Sequence, residues 1–214
     1  QMRRDRVRTG DRYIGCHLLA DVDLLPAEVA SCRKVTSLST DSSAVNLSFL
    51  NEIGQELDCE HIVNHFILKE PQKDIHGELD TRRRQMLSMA GRSAENRMYS
   101  EELNEFLEET ATEQMHTVRF LINVLAGGTA NEFESVKDKV VSAVSRMGVT
   151  PVYDIYDTPC QFWASIPGNE AGLAYQEYMT ADLKVALCMG IYDGFEPGVP
   201  DGVMKMSDRL RLVP

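Results

Sequence analysis

The run Val118 to Ala126 (VRFLINVLA) constrains the fold most, because it is apolar on both of its alternating faces. A strand of that kind must be covered above and below, so it belongs in the middle of a sheet. Gly127-Gly128 are expected to break it. Thr129 and Glu132 then have the S/T-x-x-E spacing of a capping box, in which two side chains satisfy free amides at a helix start. Phe133, Val136, Val140, Val144 and Met147 follow at spacings of 3, 4, 4 and 3, which is one face of a helix. Gly148 stands where a left-handed residue closes such a helix.

The stretch after it, VTPVYDIYDTPCQFWASIPGN, reads as a hairpin. Val152 to Tyr156 form one strand and Asp157-Thr158-Pro159 the turn. Cys160, Phe162, Ala164 and Ile166 alternate with Gln161, Trp163 and Ser165 in a second strand, ended by Pro167-Gly168. Thr180 is expected to cap a last helix carrying Leu183, Leu187 and Ile191, and residues 193–202 are loop by composition. The order from 117 onward is strand, helix, strand, strand, helix. That predicts a ferredoxin-like β-α-β-β-α unit in the second half.

The first half adds strands and helices to this frame. Residues 1–12 hold Arg3, Arg4, Arg6, Arg8 and Arg12 and read as a basic arm. Strands are expected over 13–20, over 34–40 as an edge, and over 60–69, ended by Pro71. Pro26 marks a turn with a short helix, and Leu47, Leu50, Ile53 and Leu57 place an amphipathic helix over 42–57. Two more helices are expected at about 74–90 and, behind Ser100, at 100–115; residues 91–99 show no periodicity. Arg82, Arg83 and Arg84 oppose Glu101, Glu102, Glu105, Glu108 and Glu109, as solvated helix faces or as a surface for a partner. The predicted class is α+β, a mostly antiparallel sheet with helices packed on it. It is read as one domain over 13–214, or as two lobes, 13–73 and 116–192, joined by the helical pair 74–115.

Charge and cysteines narrow the function. A net charge of −11 over 214 residues argues against a general binder of nucleic acid or anionic membrane. The five cysteines form no CxxC pair, which suits reduced thiols in a cytosolic compartment. No apolar run approaches the roughly 20 residues of a membrane span. Gln1 is not an initiator, and the chain is expected to be a piece of a longer protein.

Catalytic company is hard to find. GxxxxGK[ST] does not occur, and the capping box accounts for Thr129 after the two glycines. His61 and His65 share a face at i, i+4, and a metal would need a further ligand such as His17. Surface or half-buried strand histidines are the simpler reading. Cys160 has no neighbouring base in sequence and reads as a packed thiol. Asp154, Asp157 and Asp193 have no partner carboxylate at a fixed spacing. No catalytic, cofactor-binding or metal-ligating residue is therefore assigned. Phe162 and Trp163 face opposite ways on a strand, one into the core and the other onto a helix or a partner.

At FWASIPGN the chain resembles a known family. The aromatic segment ending in Pro167-Gly168-Asn169, followed by Tyr178 and the helix LKVALCMGIY, is similar to the N-terminal region of TraG-type conjugation ATPases, within the wider VirB and TraC group of type IV secretion motors. DVDLLP (Asp21 to Pro26), the strand ending near Ile67-Leu68 with its helical pair, and Arg146-Met147-Gly148 line up in the same order, so the resemblance spans about 13 to 213. Ser207-Asp208-Arg209 resembles the junction to the motor domain, although Leu210-Arg211-Leu212 stand where the family carries a Gly before its Val-Pro. The resemblance implies a non-catalytic docking domain of a conjugative transfer ATPase, of the kind found in conjugative transposons. Its partners would be other secretion-channel subunits and its own motor domain, with no direct nucleic acid. It would sit in the cytoplasm, peripheral to the inner membrane and held there only through partners. ATP and Mg would belong to the missing motor domain. Phe162, Trp163, Pro167, Gly168 and Asn169 would be the family motif and interface. The alternative is a small-ligand-binding or regulatory ferredoxin-like domain.

Overall fold

The structure is a computed structural model that describes residues 2–19, 21, 24–26, 29, 32–34, 46–50, 53, 57–113, 115–173 and 178–190. The strand expected over 34–40, apart from its first residue, lies outside them. So do Ile191, Asp193, the loop 193–202 and the segment 207–209. The fold is α+β. Seven strands form one sheet: β1 (Met2–Arg3), β2 (Arg6–Thr9), β3 (Arg12–Leu19), β6 (Glu60–Leu68), β7 (Thr117–Thr129), β8 (Val152–Tyr153) and β9 (Met179–Asp182). The order is β1-β2-β3-β7-β6, with β8 against β3 and β9 against β7. The pairs β1–β2, β2–β3, β3–β7, β3–β8 and β7–β9 are all antiparallel. A separate ribbon pairs β4 (Cys32–Lys34) with β5 (Asn46–Ser48). The helices are α1 (Gln72–Met89), α2 (Ala94–Glu113), α3 (Phe133–Arg146), α4 (Thr158–Ala164) and α5 (Leu183–Cys188). The chain divides into two units, each discontinuous in sequence: one draws on 1–66, 121–178 and 187 onward, the other on 67–120 and 179–186.

In the first unit both faces of the sheet are covered, as the two-faced run of β7 requires. Cys16, Leu18, Leu121 and Leu125 point to one side and pack with Ala164 of α4, Leu173, Phe66 and Phe162. The alternate residues face α3: Tyr13 lies 6.0 Å from the Phe133 ring, and Gly128 lies beneath Val136. The α3 face itself is as spaced, with Phe133, Val136, Val140 and Val144 buried. Gly148 adopts φ +80°, which only glycine takes without strain. Strand β7, helix α3 and strand β8 form a split unit, with β3 lying between the two strands.

In the second unit α1 and α2 form an antiparallel hairpin. Gln72 at the start of α1 donates to the Thr117 carbonyl (2.7 Å) and accepts from the Thr117 amide (2.8 Å). Arg119 on β7 is bonded to Glu70 (2.7 Å) and to Glu78. The hairpin itself buries little: Ile75 and Leu79 on α1, Ser100 and Thr110 on α2.

Several expectations are corrected. Gly127-Gly128 do not break β7, which pairs with β3 as far as Arg12↔Thr129. A side chain at Gly127 would meet the Tyr13 carbonyl at 3.0 Å, and one at Gly128 would meet Val136 at 3.2 Å, so these glycines permit close approach within the strand. Residues 158–164 are helix, not the second arm of a hairpin. Pro159 sits in the first turn, where its missing N–H costs nothing, and Thr158, Gln161 and Ala164 make the buried face at spacing three. Seven residues are too few for a period of two to be told from one of 3.6. The order β-α-β-β-α survives as β7, α3, β8, β9, α5, with α4 inserted. Residues 1–12 are not a bare arm but the ribbon β1–β2 and the start of β3. Residues 46–48, expected as helix, are strand, while Phe49, Leu50 and Ile53 are helical. Residues 91–99 hold a short turn, and α2 begins at Ala94 behind Ser93, whose Oγ accepts from the Asn96 amide (3.4 Å). Ser100 lies inside that helix. Thr180 is in β9, and α5 starts at Leu183.

Candidate functional site

The five motif residues separate into two roles. Helix α4 places Phe162 and Trp163 about 100° apart rather than on opposite faces. Phe162 packs on the core beside Leu125, whereas Trp163 is 48% exposed, with its ring edge-on to Phe162 at 6.1 Å. Pro167-Gly168-Asn169 form the turn that follows. Gly168 has φ +96° and its amide donates to Glu170 (2.9 Å). The motif is thus a capped helix end that leaves one large aromatic side chain in solvent.

What positions α4 was only partly visible in the sequence. Asp154 is buried, and its Oδ1 accepts from the amides of Tyr156 and Asp157, each at 2.9 Å. Its carbonyl accepts from Thr158 Oγ1 (3.0 Å), so Asp154 shapes the entry to the helix. A polar chain then fastens α4 to the sheet. Asn64 Nδ2 donates to Asn123 Oδ1 (2.7 Å) and to Ser165 Oγ (2.9 Å), and Asn123 Nδ2 donates to Gln161 Oε1 (2.8 Å). Asn123 and Gln161 are fully buried. An Asn inside VRFLINVLA was the available signal, since a buried amide requires partners.

The chemical candidates do not come together. His61 Nδ1 donates to the Cys59 carbonyl (2.8 Å), and burial lowers the pKa of His65. The Cys160 thiol donates to the Gly172 carbonyl (3.0 Å). Among the described residues no three His, Cys, Asp or Glu side chains are grouped as metal ligands would be. At the two-glycine step the Glu132 carboxylate accepts from the Thr129 amide (3.0 Å) and from its hydroxyl (2.7 Å), and these bonds lower its pKa. The expected capping box is thus only half formed: Thr129 ends β7, helix α3 starts at Phe133, and its cap makes no side-chain bond.

The second candidate surface is the end of the α1–α2 hairpin, where the two helices turn at 90–93. Leu87, Met89, Met98 and Tyr99 are 55, 49, 58 and 40% exposed there. Arg82, Arg92 and Arg97 are exposed within about two turns of them. The sequence reading found the charge imbalance but not this apolar tip. Leu87, Met89 and Met98 fall outside the seam spacing of either helix, and that was the missed signal.

No known family profile matches the chain, and no curated protein matches it either. Among the described residues no helix is long and apolar enough to cross a membrane.

Proposed function

We propose that the chain is a non-catalytic interaction domain of a conjugative-transfer, type IV secretion ATPase, docking that motor onto secretion-channel subunits. It would act in the cytoplasm, peripheral to the inner membrane, and hold the membrane only through those partners. The exposed apolar tip of the α1–α2 hairpin carries this reading. Four large apolar side chains in solvent, rimmed by arginines, suit a partner surface with an apolar centre and acidic edges. Exposed Trp163 beside the Pro167-Gly168-Asn169 turn supports it, because that segment carries the resemblance to the TraG-type family.

The test is direct binding between the purified chain and each channel subunit encoded in the same transfer region, read by interferometry. One subunit should bind saturably. Leu87→Asp with Met98→Asp should weaken it at least about tenfold, or about 1.4 kcal/mol, at an unchanged unfolding temperature. Equal binding by the double variant, no binding by any subunit, or saturable ATP turnover by the chain overturns the proposal.

A further inference from the structure

A hollow of about 260 Å³ opens on the face of the sheet that carries α4. Ile14 and Gly127 are registered opposite each other, two residues along from the pair Cys16↔Leu125, so they share its side of the sheet. On β6, Asn64 bonds to Asn123 and Ser165 on that side, so Ile62 and Glu60, two and four residues back, share it too. Gly127 brings no side chain, and part of the floor is bare backbone; a Cβ there would meet Ile14 at 3.1 Å. Ile14, Ile62 and Leu125 make the walls apolar, and Phe162 of α4 adds an aromatic residue to them. Ile62 is 53% exposed. Arg12 and Glu60 also line the hollow, joined by an ion pair of 2.9 Å that runs from β3 to β6 with β7 between them.

We propose that this hollow binds a small uncharged aromatic molecule of about two fused rings. Size sets the upper limit. An apolar cavity of about 150 Å³ takes benzene, so this one admits about ten heavy atoms. A docked helix or strand needs a row of pockets for its successive anchors, and one hollow of this volume does not supply it. Charge sets the class. Arg12 and Glu60 neutralise each other, so a ligand carboxylate or ammonium would have to break their bond and leave one of them over. The other titratable residue of the wall, His61, has its Nδ1 bonded to the Cys59 carbonyl (2.8 Å). Phe162 favours a ring over an aliphatic chain, since aromatic pairs gain beyond the area they bury. The site is independent of the docking role proposed above, and its walls all belong to the first unit.

Indole is the probe, titrated into the whole chain at neutral pH and followed by amide NMR. Saturable shifts are expected at 60–62, 125–127 and 162, with half-saturation below about 1 mM. Ile62→Asp puts a charge into the hollow at an exposed position, and should weaken binding at least about tenfold at an unchanged unfolding temperature. Ile62→Leu should keep binding within about twofold. Val141→Asp, at a residue 41% exposed on α3 and so on the other side of the sheet, should leave it unchanged. Indole-3-acetate and tryptamine, which add a negative and a positive charge, should each bind at least about fivefold more weakly than indole. Half-saturation above about 1 mM, equal binding by Ile62→Asp, or a charged analogue that binds as tightly as indole overturns the proposal. Self-association that Ile62→Asp abolishes, without binding of indole, also overturns it, because the hollow is then an interface between copies of the chain.

Discussion

His17 shows how much one side chain can determine. It lies on β3, 1% exposed, edge-on to the Tyr153 ring at 5.0 Å, and neither ring nitrogen has a hydrogen-bond partner among the described residues. Burial, with a contribution from the charge of Lys137, pushes its pKa down to about 4. The residue is therefore neutral inside the fold at pH 7. The unfolded chain takes up the proton near pH 6.5, so between about 6.5 and 4 it binds more protons than the folded chain. Stability should fall as pH falls through that window, by about 3 kcal/mol in total. His17→Leu should flatten this acid limb and cost nothing at pH 7, since two orphaned nitrogens leave with the ring. Urea unfolding at pH 7 and pH 5 checks it: an equal acid slope in both proteins would exclude His17 as the source. At the same scale, Phe162 and Trp163 were read in the sequence as one ring in the core and the other on a helix or a partner. Which was which depended on the helix that the alternation concealed.

Among the elements, α4 is held by polar bonds as much as by packing. Gln161→Leu leaves the buried Asn123 amide without its acceptor, and should cost about 1–3 kcal/mol. Replacing Asn123 by Leu as well should recover part of that loss, because the unpaired donor goes too. Equilibrium unfolding of the two variants decides between a fastening role and simple filling; a double variant no better than the single one would count against fastening. The elements that the sequence announced clearly were those with long periods: β3, β6, β7 and α3, whose five spaced residues and closing Gly148 lie as read. Short elements were read less well. Strand β8, expected over 152–156, has two residues, and α4, expected as a strand, has seven with a proline at its start. In such windows the local bonds of Asp154 and the tertiary bonds of Asn123 select the conformation, and those of Asn123 join residues far apart in the chain.

For the whole molecule, buried contacts are unevenly distributed. Strand β7 is buried almost throughout, whereas the outer turns of α1 and α2 bury little besides Ser100. Local opening should follow that difference. In hydrogen exchange, amides over 82–104 should exchange at least about a hundredfold faster than those over 121–126, a gap of roughly 3 kcal/mol in opening free energy. Uniform protection across both would show that the hairpin is supported by something other than its own seam. The α+β class and its antiparallel sheet were legible in the sequence. The candidate surfaces were less so. Arg6 and Arg8 alternate visibly in the first residues, yet only the pairing of β1 with β2 sets Arg3 opposite Arg6.

The bonds between Gln72 and Thr117 have a further consequence. Residues 69–116 leave from β6 and return to β7, its neighbour in the sheet, close to where they left. The helical hairpin is thus an excursion from a strand-to-strand connection. Inheritance could lengthen, shorten or exchange it as a cassette without reordering a strand. If recognition resides at its tip, proteins sharing this scaffold could diverge in what they attach to while the order of the strands stays the same.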